Sequence, residues 1–325
     1  MITLTYHAIL DENNELLPGN LVVSPLQLER QILHLRKFHF FPNPCEVISC
    51  ILENNVGPKN SVILTFDDAH LGQAKYAAKI LEKYDIKGFF FAPTGIVNDR
   101  ILPTVERQRL LQYSNIDYSK FYDQFCRMLL EYCPELSSNK YLPTEANISS
   151  ALDYYAEYKF YSPLERLYRK VRENYIASSI FDTIISEMFK QRFCEDEILE
   201  KYYMSWEDLI VLNEKGHEIG GHGHNHLLET SVNSETAISD VIKAISLLEE
   251  KIGPFPRAYA YPYGIFKNET ENYLKEAGIQ IAFTCRSGLG IDENRLRIDR
   301  LDCKAFPFEI NSAPNSWSVN ELLAS

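Results

Sequence analysis

The chain is short of positive charge. Lys and Arg number 33 against 45 Asp and Glu, leaving a formal charge of −12 and no basic tract. That deficit argues against nucleic acid or an anionic membrane surface as a major partner, and leaves room for a neutral sugar or a small anion held locally. No apolar run approaches the length of a membrane span. Strand-like residues begin at Ile2, leaving no room for a signal peptide, so a cytoplasmic address is expected with Met1 as the native start. Seven cysteines are present, an odd number with no CxxC spacing, which excludes a zinc knuckle and predicts buried free thiols in a reducing compartment. Internal repeats and low-complexity segments are also missing. What is present is 325 residues with 45% hydrophobic content, enough core for one large domain or two small ones.

The chain opens and closes in a βα rhythm. Ile2–His7, Ser61–Phe66, Lys87–Ala92, Glu218–Gly220, Arg257–Tyr261, Ile279–Thr284 and Leu296–Arg300 read as strands. Between them, helices are expected over a segment opened by Ser24-Pro25, over 45–53, 73–84, 235–251 and 268–277, and from the capping box Ser205–Asp208 to Glu214. Alternation at this spacing signals a parallel sheet. Asp11 to Gly19 reads as a loop. From about Asn98 to Tyr203 the rhythm stops; Leu, Ile, Tyr and Phe recur at helical spacing and predict four or more helices, an insertion over 98–204. Tyrosines such as Tyr154, Tyr155, Tyr158 and Tyr161 there suit helix packing, or stacking on sugar rings.

Two features carry chemistry. The strand 61–66 runs straight into Asp67-Asp68. Adjacent carboxylates that reach one mouth repel unless a cation lies between them, so the pair suits a metal, and equally a cap on the helix that follows. Far downstream, Gly220-Gly221-His222-Gly223-His224-Asn225-His226 sets His222 and His226 four apart. On a helical turn such residues face the same way and can share one ion. One acid and two imidazoles leave coordination positions open for water, as a hydrolytic site needs.

These residues resemble the polysaccharide deacetylase family, the NodB homology domain of carbohydrate esterase family 4. Its TFDD motif stands as Thr65-Phe66-Asp67-Asp68, its two-histidine motif as His222 to His226 with Gly223 in place of Ser or Thr, and its R-x-P-Y-G motif as Ala260-Tyr261-Pro262-Tyr263-Gly264 with the arginine absent. The resemblance covers about 1–97 and 205–305. It implies a distorted, incomplete (β/α)7 barrel, 1–97 with 205–325, and a metal-dependent hydrolase removing an N-acetyl group from an amino sugar, a nucleotide- or lipid-linked precursor given the expected address. The alternative readings are a deformylase or a ureide or cyclic amide hydrolase on the same scaffold, or a non-catalytic sugar-binding protein. Carried over residue by residue, Asp68, His222 and His226 would bind a divalent ion, most often Zn2+. Asp67 would be the general base, and the Tyr263 backbone N–H would help stabilise the oxyanion. No histidine follows His226, yet Leu4-Thr5-Tyr6-His7 has the spacing of the family's general-acid motif, as in permuted members similar to poly-N-acetylglucosamine deacetylases. His7 is therefore expected as the acid. The missing arginine is expected from Arg300, or else Arg297. His224 is expected to point away from the ion and His70 to lie at the surface or rim.

Overall fold

Apolar, β-branched runs become strands where both of their faces can be buried. Among the described residues seven strands form the main sheet, Ile2–Tyr6 (β1), Val62–Phe66 (β2), Phe89–Ala92 (β3), Glu218–Gly221 (β4), Ala258–Ala260 (β5), Ile281–Phe283 (β6) and Leu301–Asp302 (β7), while Ala8–Ile9 and Val22–Val23 pair apart from it. The computed structural model describes residues 1–11, 22–113, 117–134, 141–154, 156, 161–253, 257–286, 288 and 294–305. The strands form one sheet in the order β6-β5-β4-β3-β2-β1-β7, with every pair parallel. The sheet curls into the distorted, incomplete (β/α)7 barrel that the motifs imply. Because all strands run one way, their C-terminal ends share one rim.

Alternation along β2 divides the core. Val62, Leu64 and Phe66 pack with Leu4, Tyr6, Phe90 and Ile219 on one face. Ile63 joins Phe89, Phe91, Ala260 and Phe283 on the other. The Phe66 ring is stacked between Tyr6 and Phe90, with centroids 5.2 and 4.7 Å away.

The covering helices start where the sequence signals them. Pro25–Leu35, Pro44–Asn54 and Trp206–Glu214 each open with a reciprocal capping box, Ser24 with Gln27, Asn43 with Glu46 and Ser205 with Asp208. Ser234–Ile252 and Asn268–Glu276 follow the expected spans to within a residue or so. Two expectations need correction. The helix expected over 73–84 begins as a wider π turn, Gln73–Ala77, before Ala78–Lys83 continues as α-helix. The last strand is Leu301–Asp302, not Leu296–Arg300. In that earlier stretch only Ile298 bridges to Phe283, so the alternation of Leu296, Ile298 and Arg300 reports burial rather than a ladder.

The chain forms two compact units. One, built from Met1–Asn13, Asn20–Ile101 and Asp196–Ser325, holds the sheet. The other spans Leu102–Glu195 and contains Thr104–Tyr113, Tyr118–Tyr132, Glu145–Ser149, Pro163–Tyr175 and Ser178–Lys190. Tyr168 is its hub, with Phe121 and Phe125 edge-on at 5.3 and 5.1 Å. Tyr154 is bonded to Glu173, and Arg169 lies over the Tyr161 ring at 3.9 Å, so both serve packing within this unit. Tyr155, Tyr158 and the loop expected over 11–19, apart from Asp11, lie outside the described residues. Among the described residues no helix is long and apolar enough to cross a membrane. All seven cysteines are free, but Cys45, Cys194 and Cys285 are exposed rather than buried as expected.

Candidate active site

β2 ends at Phe66, and the Asp67 N–H still bonds the Tyr6 carbonyl of β1 at 2.9 Å. Asp67 thus keeps the phase of Thr65. Asp68 then enters the left-handed region at φ 71°, followed by Ala69 at 53°. This reversal brings the second carboxylate to the same mouth as the first. His226 (φ 52°) and Tyr263 (φ 58°) adopt the same uncommon conformation. Strain of this kind persists where surrounding structure imposes it and gathers at functional sites. The helix-cap alternative for the acid pair is not realised: the helical segment at Gln73 has no side-chain cap.

Asp68 meets both histidines. Its Oδ1 lies 3.4 Å from His222 Nε2 and 3.2 Å from His226 Nε2. The three ligand atoms all fall within 4.8 Å of one another, and all three residues are buried. His222 Nδ1 is 2.7 Å from the Ala260 carbonyl at the end of β5. A carbonyl only accepts, so Nδ1 carries the proton and the Nε2 lone pair faces Asp68. Burial pushes the His222 pKa down, but the nearby carboxylates of Asp67 and Asp68 outweigh it and hold it above the ordinary value. The mouth therefore favours positive charge. An acid and two imidazoles with this spacing fit a divalent ion such as zinc.

The histidines do not meet on a helical turn, as their spacing suggests. β4 ends at Gly221, and the following loop is bent by Gly223 at φ +71° and by His226. The two histidines converge because the loop folds back, with ring centroids 4.7 Å apart.

Beside the ligands, Asp67 is gripped by Arg300. Nη1 donates to Oδ1 at 2.8 Å and Nη2 to Oδ2 at 2.7 Å; Nη1 also reaches Thr65 Oγ1, and Nε the Thr284 carbonyl. Burial alone would raise the Asp67 pKa, but the Arg300 guanidinium, with smaller help from His222 and His7, brings it below the usual carboxylate value. Arg297 instead bonds Glu271 at 2.6 Å. His7 follows β1 on the rim, half-buried. Gln73 Nε2 donates to the His7 carbonyl at 2.8 Å and to the Asp67 carbonyl at 2.6 Å, tying the two turns together. The π turn places Gln73 to do so. Tyr263 is set edge-on to His226 at 4.9 Å between ring centroids.

Several participants carry no sequence signal. His224 does point away, with Nδ1 to Thr94 Oγ1 at 2.8 Å and Nε2 to Asp99 Oδ2 at 2.9 Å. Hydrogen bonds from Asn98 and Lys243, with that from His224, hold the Asp99 pKa down to about 2. Asp240, on helix Ser234–Ile252, accepts from the backbone of His224 and Asn225. Nothing local in the sequence marks it beyond a polar residue on an otherwise buried helix face. His70, expected at the surface, is buried and packs on Tyr203 at 5.0 Å.

The profile of the polysaccharide deacetylase family matches residues 180–282, which contain both histidines and Tyr263. A peptidoglycan deacetylase of Helicobacter pylori is 26% identical over 74 residues, 23% of this chain and 25% of that protein, so the match spans about a quarter of the relative's length. The Streptococcus pyogenes deacetylase PplD, solved in complex with acetate, superposes with a TM-score of 0.56 at 17% identity, covering 100% of this chain and 96% of that one. IcaB from Ammonifex degensii gives 0.54 at 17% identity over 93% of this chain and 90% of its own. The de-N-acetylase from Aggregatibacter actinomycetemcomitans gives 0.52 at 14% identity over 92% and 93%. At these identities the structural likeness is one of fold. The resemblance to the polysaccharide deacetylase family, read from the motifs, is borne out.

Proposed function

We propose that this chain is a metal-dependent carbohydrate N-deacetylase, hydrolysing the N-acetyl group of an amino sugar to acetate and a free amine. One observation carries the reading: Asp68 Oδ1 faces His222 Nε2 and His226 Nε2 at 3.4 and 3.2 Å, with the Arg300-bound Asp67 beside them. Asp68, His222 and His226 would hold the ion, zinc by its donor set, which when bound supplies Lewis-acid polarisation and acidifies water. The rest falls to the chain's own side chains. Asp67, kept ionised by Arg300, takes a proton from the water that attacks the amide carbonyl carbon. Tyr263, in its left-handed turn beside His226, offers its backbone N–H to the developing oxyanion. His7, on the rim next to Asp67, gives a proton to the nitrogen as the C–N bond breaks. The acetyl carbon leaves as acetate with the water oxygen, and the sugar keeps the amine.

The test is release of acetate, measured against formate, from N-acetyl and N-formyl amino sugars offered as oligosaccharides and as nucleotide-linked monosaccharides. Zinc-loaded protein is expected to release acetate, and Asp67→Asn to lose about 10²–10⁴-fold of the rate. Formate release alone, or full activity in Asp67→Asn, would overturn the reading.

A further inference from the structure

We propose that Asp240 is a positioning residue for the loop that carries both histidine ligands. The inference rests on the metal reading above and goes past it to what makes the site stiff. The loop from His222 to His226 has no helical hydrogen bonds of its own to fix it. It is bent by a glycine at φ +71° and a histidine at φ 52°. On one side it is held by the strand that ends at Ala92: the Thr94 and Gly95 N–H groups donate to the carbonyls of Gly223 and His224 at 3.1 and 2.8 Å. On the other side stands one buried carboxylate. Asp240 Oδ2 accepts the His224 N–H at 2.8 Å, and Oδ1 accepts the Asn225 N–H at 2.9 Å and Asn225 Nδ2 at 2.7 Å. Both oxygens are thus spent on the two residues at the middle of the loop, between the two ligands.

Residue 223 fits this clamp. A Cβ built there would lie 2.8 Å from Asp240 Oδ2, closer than real Cβ contacts come. Glycine is needed at 223 for its backbone angle and because the carboxylate occupies the room a side chain would take. Gly223 and Asp240 are therefore a matched pair. Charge-assisted bonds to backbone N–H groups are short and directional, so the clamp fixes where the loop's two ends aim their imidazoles. Asp240 touches neither ion nor substrate. It acts through the loop, as groups behind metal ligands do, where substitution commonly weakens metal binding 10- to 100-fold.

The experiment measures zinc affinity by competition with a chromophoric chelator, alongside urea unfolding of the metal-free protein, for wild type, Asp240→Asn, Gly223→Ala and Asp240→Ala/Gly223→Ala. Asp240→Asn keeps the shape and one acceptor oxygen, but turns an amide against an N–H. It is expected to bind zinc about 10- to 100-fold more weakly, with the metal-free unfolding midpoint nearly unmoved and faster amide exchange at 224 and 225. Gly223→Ala is expected to weaken zinc binding in wild type more than in the Asp240→Ala background, where the carboxylate is gone. Zinc affinity of Asp240→Asn within threefold of a zinc-binding wild type would overturn this inference alone, as would a loss that only tracks the unfolded fraction. Wild type that binds no zinc would instead remove the metal reading on which it stands. If Asp240→Ala fails to fold, Asp240→Asn and amide exchange decide.

Discussion

Replacing Arg300 by Met should expose how the barrel tolerates a buried carboxylate. Arg300 and Asp67 are both almost fully buried and joined by two parallel hydrogen bonds of 2.8 and 2.7 Å. Arg300 also fills Thr65 Oγ1 at 3.1 Å and the Thr284 carbonyl at 2.8 Å. Removing the guanidinium leaves Asp67 charged, desolvated and without its counterion. A half-broken buried pair of this kind costs about 3–5 kcal/mol, whereas replacing both members by apolar groups is often close to neutral. Arg300→Met is therefore expected to lose about 3–5 kcal/mol, and Asp67→Leu a similar amount. The double variant should fall short of their sum by about 2 kcal/mol or more, after allowing about 1–3 kcal/mol for the Thr284 carbonyl left unpaired. Urea unfolding with a chelator present checks this without any contribution from a bound ion. In Arg300→Met the burial that Arg300 now outweighs would meet only the smaller opposing help of His222 and His7 at Asp67. The acid limb of the activity profile should then move to higher pH. Additive costs, or a single variant within about 1 kcal/mol of wild type, would refute the reasoning.

Four further outcomes are expected. Purified protein should bind about one equivalent of zinc, and saturation at a hundred times Kd should add about 2.7 kcal/mol to stability; His222→Ala should lose both in calorimetry. Phe66→Ala, which empties the slot between Tyr6 and Phe90, should cost about 3–5 kcal/mol by urea unfolding. Ser205→Ala should remove the capping box of Trp206–Glu214 and cost about 1 kcal/mol. His217 is buried, its Nδ1 accepts the Gly88 N–H at 3.1 Å, and burial together with Lys87 and Lys215 pushes its pKa down to about 4 from 6.5. The unfolded chain therefore takes up the proton first. This stability is whole above about pH 6.5 and drains away as pH falls towards 4, by about 3 kcal/mol. His217→Asn should flatten that part of a pH series of urea midpoints, and an unchanged slope would count against the assignment.

Much of this was legible because the relevant signals are local. The run before Asp67 is apolar without alternation, as a strand covered on both faces must be. The Ser205–Asp208 box sits where a helix begins. What escaped depends on atoms far apart in the chain. Spacing alone suggested that His222 and His226 share a helical turn, whereas positive φ at Gly223 and His226 makes the loop fold back. Arg297 and Arg300 are equivalent in composition; only the placement of Glu271 and Asp67 separates them. Asp240 looks like any acid on an amphipathic helix until its partners are known. His70 reads as a rim residue because nothing near it announces Tyr203. The final strand was misplaced because burial alternates through Leu296, Ile298 and Arg300 before the ladder begins at Leu301.

The ligand set is divided along the polypeptide in a way that matters during synthesis. Asp68 leaves the ribosome before the helical unit, which must be made in full before His222 and His226 emerge. A nascent chain that holds only the acid lacks both imidazoles of the proposed ion site. Arg300, the counterion of Asp67, arrives later still. Capture of the proposed ion would therefore wait until the chain has passed His226.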